Sequence, residues 1–446
     1  MKQSKKSVRE LALDLLEAVE KNQSYSNLLL NSAIEKNRLS SRDAGLLTEL
    51  TYGTIQRKMT LDYYLAPFAK KKLESWVRQL LRLSLYQMVY LDKIPERAVI
   101  HEAVELAKKR GHKGISGLVN GILRSIQREG VPSLDEIKEP AERISIETSH
   151  PLWLVKRWIM QFGEERTKSM CQTNLMAPTQ SIRVNTTKAS REAVLELLKQ
   201  EGYEAEPSDM VPEAIHILKG NIAQSDVFKT GLATIQDESS MLVAYALDVQ
   251  TGQTVLDTCA APGGKTTHIA EKLNNTGKVS ALDLHEHKMK FIHENASRLG
   301  LANIETKALD SRKAGEIFEE ESFDRILVDA PCSGLGVLRR KPDIKYVKKE
   351  EDLLSLQKVQ LDILHAVSPL LTKGGSLVYS TCTVDKEENL GTVEKFLENH
   401  SDFELATLEG LPQSAAALTE NGMLQVLPQD FGGDGFFICK FRKKVQ

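Results

Sequence analysis

The sequence predicts a multidomain chain: an all-α domain in front, a small α/β module in the middle, and a C-terminal α/β domain on a mainly parallel sheet. Three observations carry that prediction. Apolar residues recur at three- and four-residue spacing from Ser7 to about Gln127, the mark of amphipathic helices. From Gln236 onward, near-continuous apolar strands alternate with helical stretches, as in a parallel sheet covered on both faces. At 446 residues the chain also exceeds one ordinary domain.

The front domain is assigned to residues 1–140. Leu11, Leu15 and Val19, then Leu80, Leu83, Leu85 and Met88, keep helical spacing. Ser40-Ser41-Arg42-Asp43 offers N-cap chemistry for the helix running through Tyr52. Residues 128–145 lose the period and carry two prolines, so they read as a linker. The middle module, residues 141–235, opens on a helix with Trp153 and Trp158 and continues with a strand SIRVNT and a helix REAVLELLKQEG. The third domain, residues 236–446, contains the strands TVLDTCA, KVSALD, IETKALD, FDRILVDA and GSLVYSTC, most of them followed by helices. MLQVLPQ and GFFICKFRKK read as a hairpin closing the sheet edge.

Composition narrows the function classes. Asp14 and Glu17 break the apolar stretch that a signal peptide needs, and the longest apolar run, Met241 to Leu247, is far short of a membrane span. A cytoplasmic protein with no membrane partner is expected. The five cysteines form no CxxC pair, so no metal site is expected, and their odd number argues against a disulfide framework. The net charge of −2 hides an asymmetry: residues 1–130 hold 23 basic and 14 acidic side chains, the remainder 36 and 47. A basic front suits a polyanionic partner or a solvated lysine-rich helical surface, and charge alone does not choose between them.

The chain leaves the first strand of the third domain through Asp257-Thr258-Cys259-Ala260-Ala261-Pro262-Gly263-Gly264-Lys265-Thr266. Small residues allow close backbone approach to a ligand, and the next helix begins with free N–H groups. A P-loop would need glycine where Cys259 stands, and the dinucleotide spacing GxGxxG is absent. Instead Asp257, Asp283, Asp310 and Asp329 each end an apolar strand. A carboxylate row repels a triphosphate, accepts a ribose diol, and tolerates a cationic sulfonium. A phosphate-free nucleoside cofactor is therefore expected.

The segments DTCAAPGGKTTHIA, DAPCSGLGVLRRKPDIKY and YSTCTVDKEEN resemble the signature motifs of the RNA cytosine-C5 methyltransferases of the class I, Rossmann-like fold. The helical front resembles the NusB-like RNA-binding domain found in members of that family. The resemblance implies a mainly parallel seven-stranded sheet and S-adenosylmethionine as cofactor. It implies that Cys259, Ala260, Ala261, Pro262, Gly263, Gly264 and Lys265 line the cofactor pocket. Asp283 would then bind ribose, Asp310 lie near adenine, and Asp329 close the pocket toward the target base. The implied partner is RNA, with 16S rRNA foremost (cytosine 967 in that RNA's own numbering), naked or in an early small-subunit particle, and the implied state is a monomer.

C5 of cytosine accepts a methyl group only after a nucleophile adds at C6, and a cysteine thiolate suits that step. Cys332 and Cys382 both lie just past strand ends, on the side where open α/β sheets bind ligands. DNA enzymes use the cysteine of a Pro-Cys motif, which would choose Cys332. The RNA family uses that of a Thr-Cys motif, which chooses Cys382 and leaves Cys332 to assist release. Asp329 would hold N3 of the base, and Lys265 would add positive potential. The base must leave its stack, and Arg339, Arg340, Lys341 and Lys345 are candidates to grip flanking phosphates. Three rivals remain open: the same chemistry on tRNA, another RNA or DNA; a NusB-like RNA-binding protein with an inert methyltransferase scaffold; and a nicotinamide oxidoreductase, which the missing GxGxxG opposes.

Overall fold

The computed structural model describes residues 6–22, 26–70 and 72–445 and divides into two compact units. The first comprises Met1–Ala177 with Leu338–Lys348, the second Pro178–Val337 with Lys349–Gln446. Packing thus groups the residues differently from the three segments read in the sequence.

The first unit is helical. Leu11, Leu15, Leu80, Leu83 and Leu85 are buried in one core, with Val19 and Met88 packed against it. Ser40 caps the helix Ser41–Gln56 by accepting from the Asp43 N–H at 3.2 Å. The expected linker is only partly one. Gly130 ends the preceding helix, but residues 140–148 form a further helix, Pro140–Thr148. Proline is at home in a first turn, where its missing N–H costs nothing, and the Glu139 carboxylate caps the turn through the Glu142 N–H. The helices Leu152–Phe162, with Trp158 fully buried, and Glu164–Thr173 complete the unit.

Residues 338–348 lie far along the sequence, yet they build this unit's interior. Gln56 donates to the Leu338 carbonyl at 3.1 Å, and Tyr346 donates to the Ile55 carbonyl at 2.9 Å. Lys345 is fully buried, its Nζ 3.0 Å from the Gln56 carbonyl and 3.3 Å from Oε1. Arg339 is also buried and donates to the Ala177 carbonyl at 2.6 Å. These two side chains tie the segment down, which corrects their reading as phosphate ligands. Burial holds the Lys345 ammonium down to about 7. The folded state then binds fewer protons than the unfolded chain between about pH 7 and pH 10.5, so stability rises with pH across that window, by an amount on the order of a few kcal/mol. Denaturant melts at pH 7 and pH 10 should show this rise, and Lys345→Met should remove it.

The second unit holds two sheets. Strands β1 (Gln180–Val184), β2 (Glu204–Pro207), β3 (Ala214–Lys219) and β4 (Ala233–Ile235) form an antiparallel sheet in the order β2-β3-β1-β4. The helix Arg191–Gln200 contributes Val194 and Leu198 to its core. The large sheet is made of β5 (Thr254–Asp257), β6 (Lys278–Asp283), β7 (Ile304–Ala308), β8 (Phe323–Asp329), β9 (Leu371–Thr381), β10 (Phe403–Ala406), β11 (Thr419–Glu420), β12 (Met423–Val426) and β13 (Phe436–Lys443). Its order is β11-β12-β13-β9-β8-β5-β6-β7, with β10 on β13.

Strands β5 to β9 are mutually parallel; β10 to β13 pair antiparallel. The expected hairpin exists as β12 with β13, but the C-terminal stretch adds two more strands, giving nine where seven were expected. The short β10 and β11 have no apolar alternation long enough to be read. Alternate residues feed separate cores on the two faces: Val255, Leu327, Val378 and Ile438 on one, Leu256, Val328, Tyr379 and Cys439 on the other. No helix among the described residues is long and apolar enough to cross a membrane.

Candidate active site

Because β5 to β9 run parallel, their carboxyl ends share one edge. Asp257 pairs in register with Ala281 and Leu327, Asp283 with Ala308, and Asp329 with Ser380. Along that edge stand, in order, Cys382 after β9, Asp329 ending β8 with Cys332 just past it, the loop after β5, Asp283 ending β6, and Asp310 after β7. The sequence order reverses between β8 and β5, the place where an open α/β sheet leaves a crevice.

The loop after β5 is shaped by its own backbone. Thr258 N–H bonds to the Leu327 carbonyl at 3.0 Å, and Ala260 N–H to that of Leu282 at 2.8 Å. The Ala261–Pro262 peptide is cis, and Gly263 turns at φ +102°, where a Cβ would lie 3.2 Å from the Ile292 backbone. Asp283 receives the Ala261 N–H at 3.3 Å and the His285 N–H at 3.1 Å. Asp310 is engaged by Arg312, whose Nη2 lies 2.6 Å away, and this hydrogen bond holds its carboxyl below the usual range.

Asp257 accepts from Thr266 Oγ1 at 2.7 Å, while its buried Oδ1 takes no well-formed hydrogen bond among the described residues. Burial pushes this carboxyl up to about 7, and the charge of Asp329 adds to the shift. A buried carboxyl whose Oδ1 takes no well-formed hydrogen bond, beside a loop of small residues and a strand-end acid, fits a cationic nucleoside with a free diol. S-adenosylmethionine is such a molecule. Residues 259–265 and Asp283 would hold it, and among the described residues no group of three or more His, Cys, Asp or Glu side chains is arranged to hold a metal ion.

At the other end of the crevice two sulfurs meet. Cys332 Sγ lies 3.3 Å from Cys382 Sγ, and both residues are partly accessible. Their loops are fastened together: Ser333 Oγ to Thr383 Oγ1 at 2.9 Å, and Gly336 N–H to the Cys382 carbonyl at 3.0 Å. Only glycine fits at 336, where a Cβ would fall 2.0 Å from the Gly435 carbonyl oxygen. The hydrogen bond with Cys382, then burial, pushes the Cys332 thiol well up, so Cys332 keeps its proton. Asp329 is held between Lys265 Nζ at 2.7 Å and Ser380 Oγ at 2.8 Å. Burial opposes the charge on Lys265, but Asp329 and then Cys382 outweigh it and raise its pKa, so the ammonium persists beside the thiol pair.

Sequence reasoning missed what holds these groups. Glu388 Oε1 receives the Ser333 N–H at 2.8 Å and Gln360 Nε2 at 3.0 Å, and burial raises its carboxyl. Asn389 accepts from Thr381 Oγ1 at 2.6 Å and donates to the Thr383 carbonyl at 3.1 Å, bracketing Cys382. Both lie in the segment TVDKEEN, so the signal was present in the motif.

The chain is similar to known proteins over nearly its whole length. A family profile described as 16S rRNA methyltransferase RsmB/F matches residues 244–442, one for the NusB family residues 6–128, and one for an RsmF/B-like ferredoxin-like domain residues 150–223. A probable ribosomal RNA small subunit methyltransferase B of Bacillus subtilis is 56% identical over 444 residues, covering 99% of each chain. The ribosomal RNA small subunit methyltransferase B of Escherichia coli (strain SE11) is 35% identical, over 98% of this chain and 99% of that one. Among solved structures, PH0851 is 28% identical with a TM-score of 0.83 over 99% of this chain and all of that one. A methyltransferase homolog from Pyrococcus horikoshii is 29% identical with a TM-score of 0.60, over 69% of this chain and all of that one. Likeness of this extent makes the chain a member of the RsmB/F family of S-adenosylmethionine-dependent small-subunit rRNA methyltransferases.

Proposed function

We propose that the chain methylates C5 of a cytosine in 16S rRNA, cytosine 967 in that RNA's numbering, through a covalent bond from Cys382 to C6. The observation that carries this reading is the sulfur pair, 3.3 Å apart and partly accessible, at the carboxyl ends of β8 and β9 beside Asp329. Cys382 adds to C6 as a thiolate, hydrogen-bonded by the protonated Cys332, and C5 becomes nucleophilic. Asp329 holds N3, and Lys265 keeps the local potential positive during addition. When bound, S-adenosylmethionine supplies an electrophilic methyl group. After addition Cys332 gives its proton to solvent and, as a thiolate, takes the C5 proton; the C5–H electrons re-form the C5=C6 double bond, the S–C6 bond breaks, and Cys382 leaves as a thiolate. The cofactor roles belong to Cys259, Ala260, Ala261, Pro262, Gly263, Gly264, Lys265, Asp283, Asp310 and Asp329.

Two thiols serve this chemistry better than one, since the sulfur bonded to C6 cannot also be the base that takes the C5 proton. Bisulfite mapping of RNA from a strain lacking the gene tests the proposal. A 5-methylcytosine missing from 16S rRNA at position 967 is the expected result. Intact rRNA with a lost tRNA mark would keep the enzyme class and overturn the substrate.

A further inference from the structure

We propose that Arg183 is a positioning residue: from the small antiparallel sheet it fixes the first turns of the helix Gly264–Lys272, and with them the loop that takes S-adenosylmethionine. The proposal rests on the assignment of that loop to the cofactor.

Arg183 lies in β1 and is fully buried. Its Nη1 donates to the Gly264 carbonyl at 2.9 Å and also to Gln236 Oε1. Its Nη2 donates to Thr267 Oγ1 at 3.2 Å and to Glu271 Oε1 at 2.9 Å, and Nε donates to Glu271 Oε2 at 3.0 Å. Residues 264, 267 and 271 recur at three and four positions, so one guanidinium plane spans one face of the helix. Thr267 in turn donates to the Gly263 carbonyl at 2.8 Å, which carries the grip one residue further into the loop.

A second grip comes from the same module. Glu213, just ahead of β3, meets His268 Nε2 at 2.8 Å and Lys272 Nζ at 3.2 Å. Burial pushes the His268 imidazole down to about 3, so at neutral pH it is uncharged and donates to the carboxylate. The contacts at 267 and 271 therefore have neighbours at 268 and 272, all supplied by residues 178–235.

The loop needs such support. Residues 259–263 are small and pack little side-chain volume of their own; Leu282, Asp283 and Asn295 hold their backbone, and the two ends set the rest of the loop's position. One end is the sheet; the other is the helix that Arg183 holds. Stability does not account for the arrangement, because replacing a buried ion pair by apolar side chains is often neutral or stabilising. A planar fork sets position and direction together, which a lysine ammonium cannot do.

The test compares cofactor affinity in four full-length proteins by calorimetric titration of S-adenosylmethionine, with hydrogen exchange of the 264–269 amides measured without cofactor. Arg183→Lys should weaken binding roughly tenfold and speed exchange of those amides. Val194→Ala, a cavity in the small module's own core, should lower the melting temperature yet leave affinity within about twofold. Equal weakening by both variants, or an unchanged affinity in Arg183→Lys, overturns the proposal. Asp283→Asn reports on the pocket assignment separately: if it binds normally the pocket is misassigned, whereas loss there with normal binding in Arg183→Lys rejects the clamp alone. Should Arg183→Lys fail to fold, Gln236→Met carries the same test, since it removes the oxygen that steers Nη1 and leaves the Glu271 pair intact.

Discussion

Replacing Cys382 with alanine is expected to lower methyl transfer into RNA by about ten-thousand-fold or more, the scale seen when a covalent nucleophile is removed. The side chain belongs to the crevice more than to the core. It is partly accessible, stands one residue past the end of β9, and its carbonyl is fixed by Gly336 independently of the sulfur. The substitution should therefore leave the melting temperature and S-adenosylmethionine affinity nearly unchanged, so that the loss reads as chemistry. Incorporation of tritiated methyl groups into small-subunit RNA is the measurement. A variant that keeps a tenth of the rate removes Cys382 from the role of nucleophile.

Cys332→Ala should fail differently. Addition and methylation proceed, but the group that assists release is gone, so the enzyme stops with its RNA attached. The expected observation is a slow band on a denaturing gel that contains protein and RNA and appears only when S-adenosylmethionine is supplied. Multiple turnover should fall by roughly a hundredfold or more, the usual contribution of a positioned proton-transfer group. The double variant Cys332→Ala/Cys382→Ala should give no band. A band from Cys382→Ala, and none from Cys332→Ala, would exchange the two roles.

How much of this could be read in the chain depended on the range of the forces involved. Asp257, Asp283 and Asp329 were legible because a polar residue ending an apolar strand is a local pattern, and parallel pairing then aligns the strand ends. The two cysteines were legible as residues just past strands, but their 3.3 Å approach depends on Gly336 and Gly435, whose closeness joins segments about a hundred residues apart. Pro140 reads as a breaker in the sequence because its cost depends on position: severe inside a helix and absent in the first turn. Arg183 looked like any charged residue of a strand; its burial follows from Glu271 on a different element, which no window around residue 183 contains. Lys345 misled for the same reason, since a lysine in a basic run is ordinarily solvated and this one is enclosed.

The segment 338–348 also bears on how the molecule can be made and divided. The backbone passes from one unit to the other after Ala177, again after Val337, and a third time after Lys348. No single cut separates the halves: a fragment ending at residue 177 lacks the strip that satisfies Gln56 and supplies Tyr346 to the helical interior. A nascent chain meets the same constraint. Its amino-terminal helices emerge first but stay unfinished until translation reaches residue 348, by which time β5 to β8 have already been synthesised.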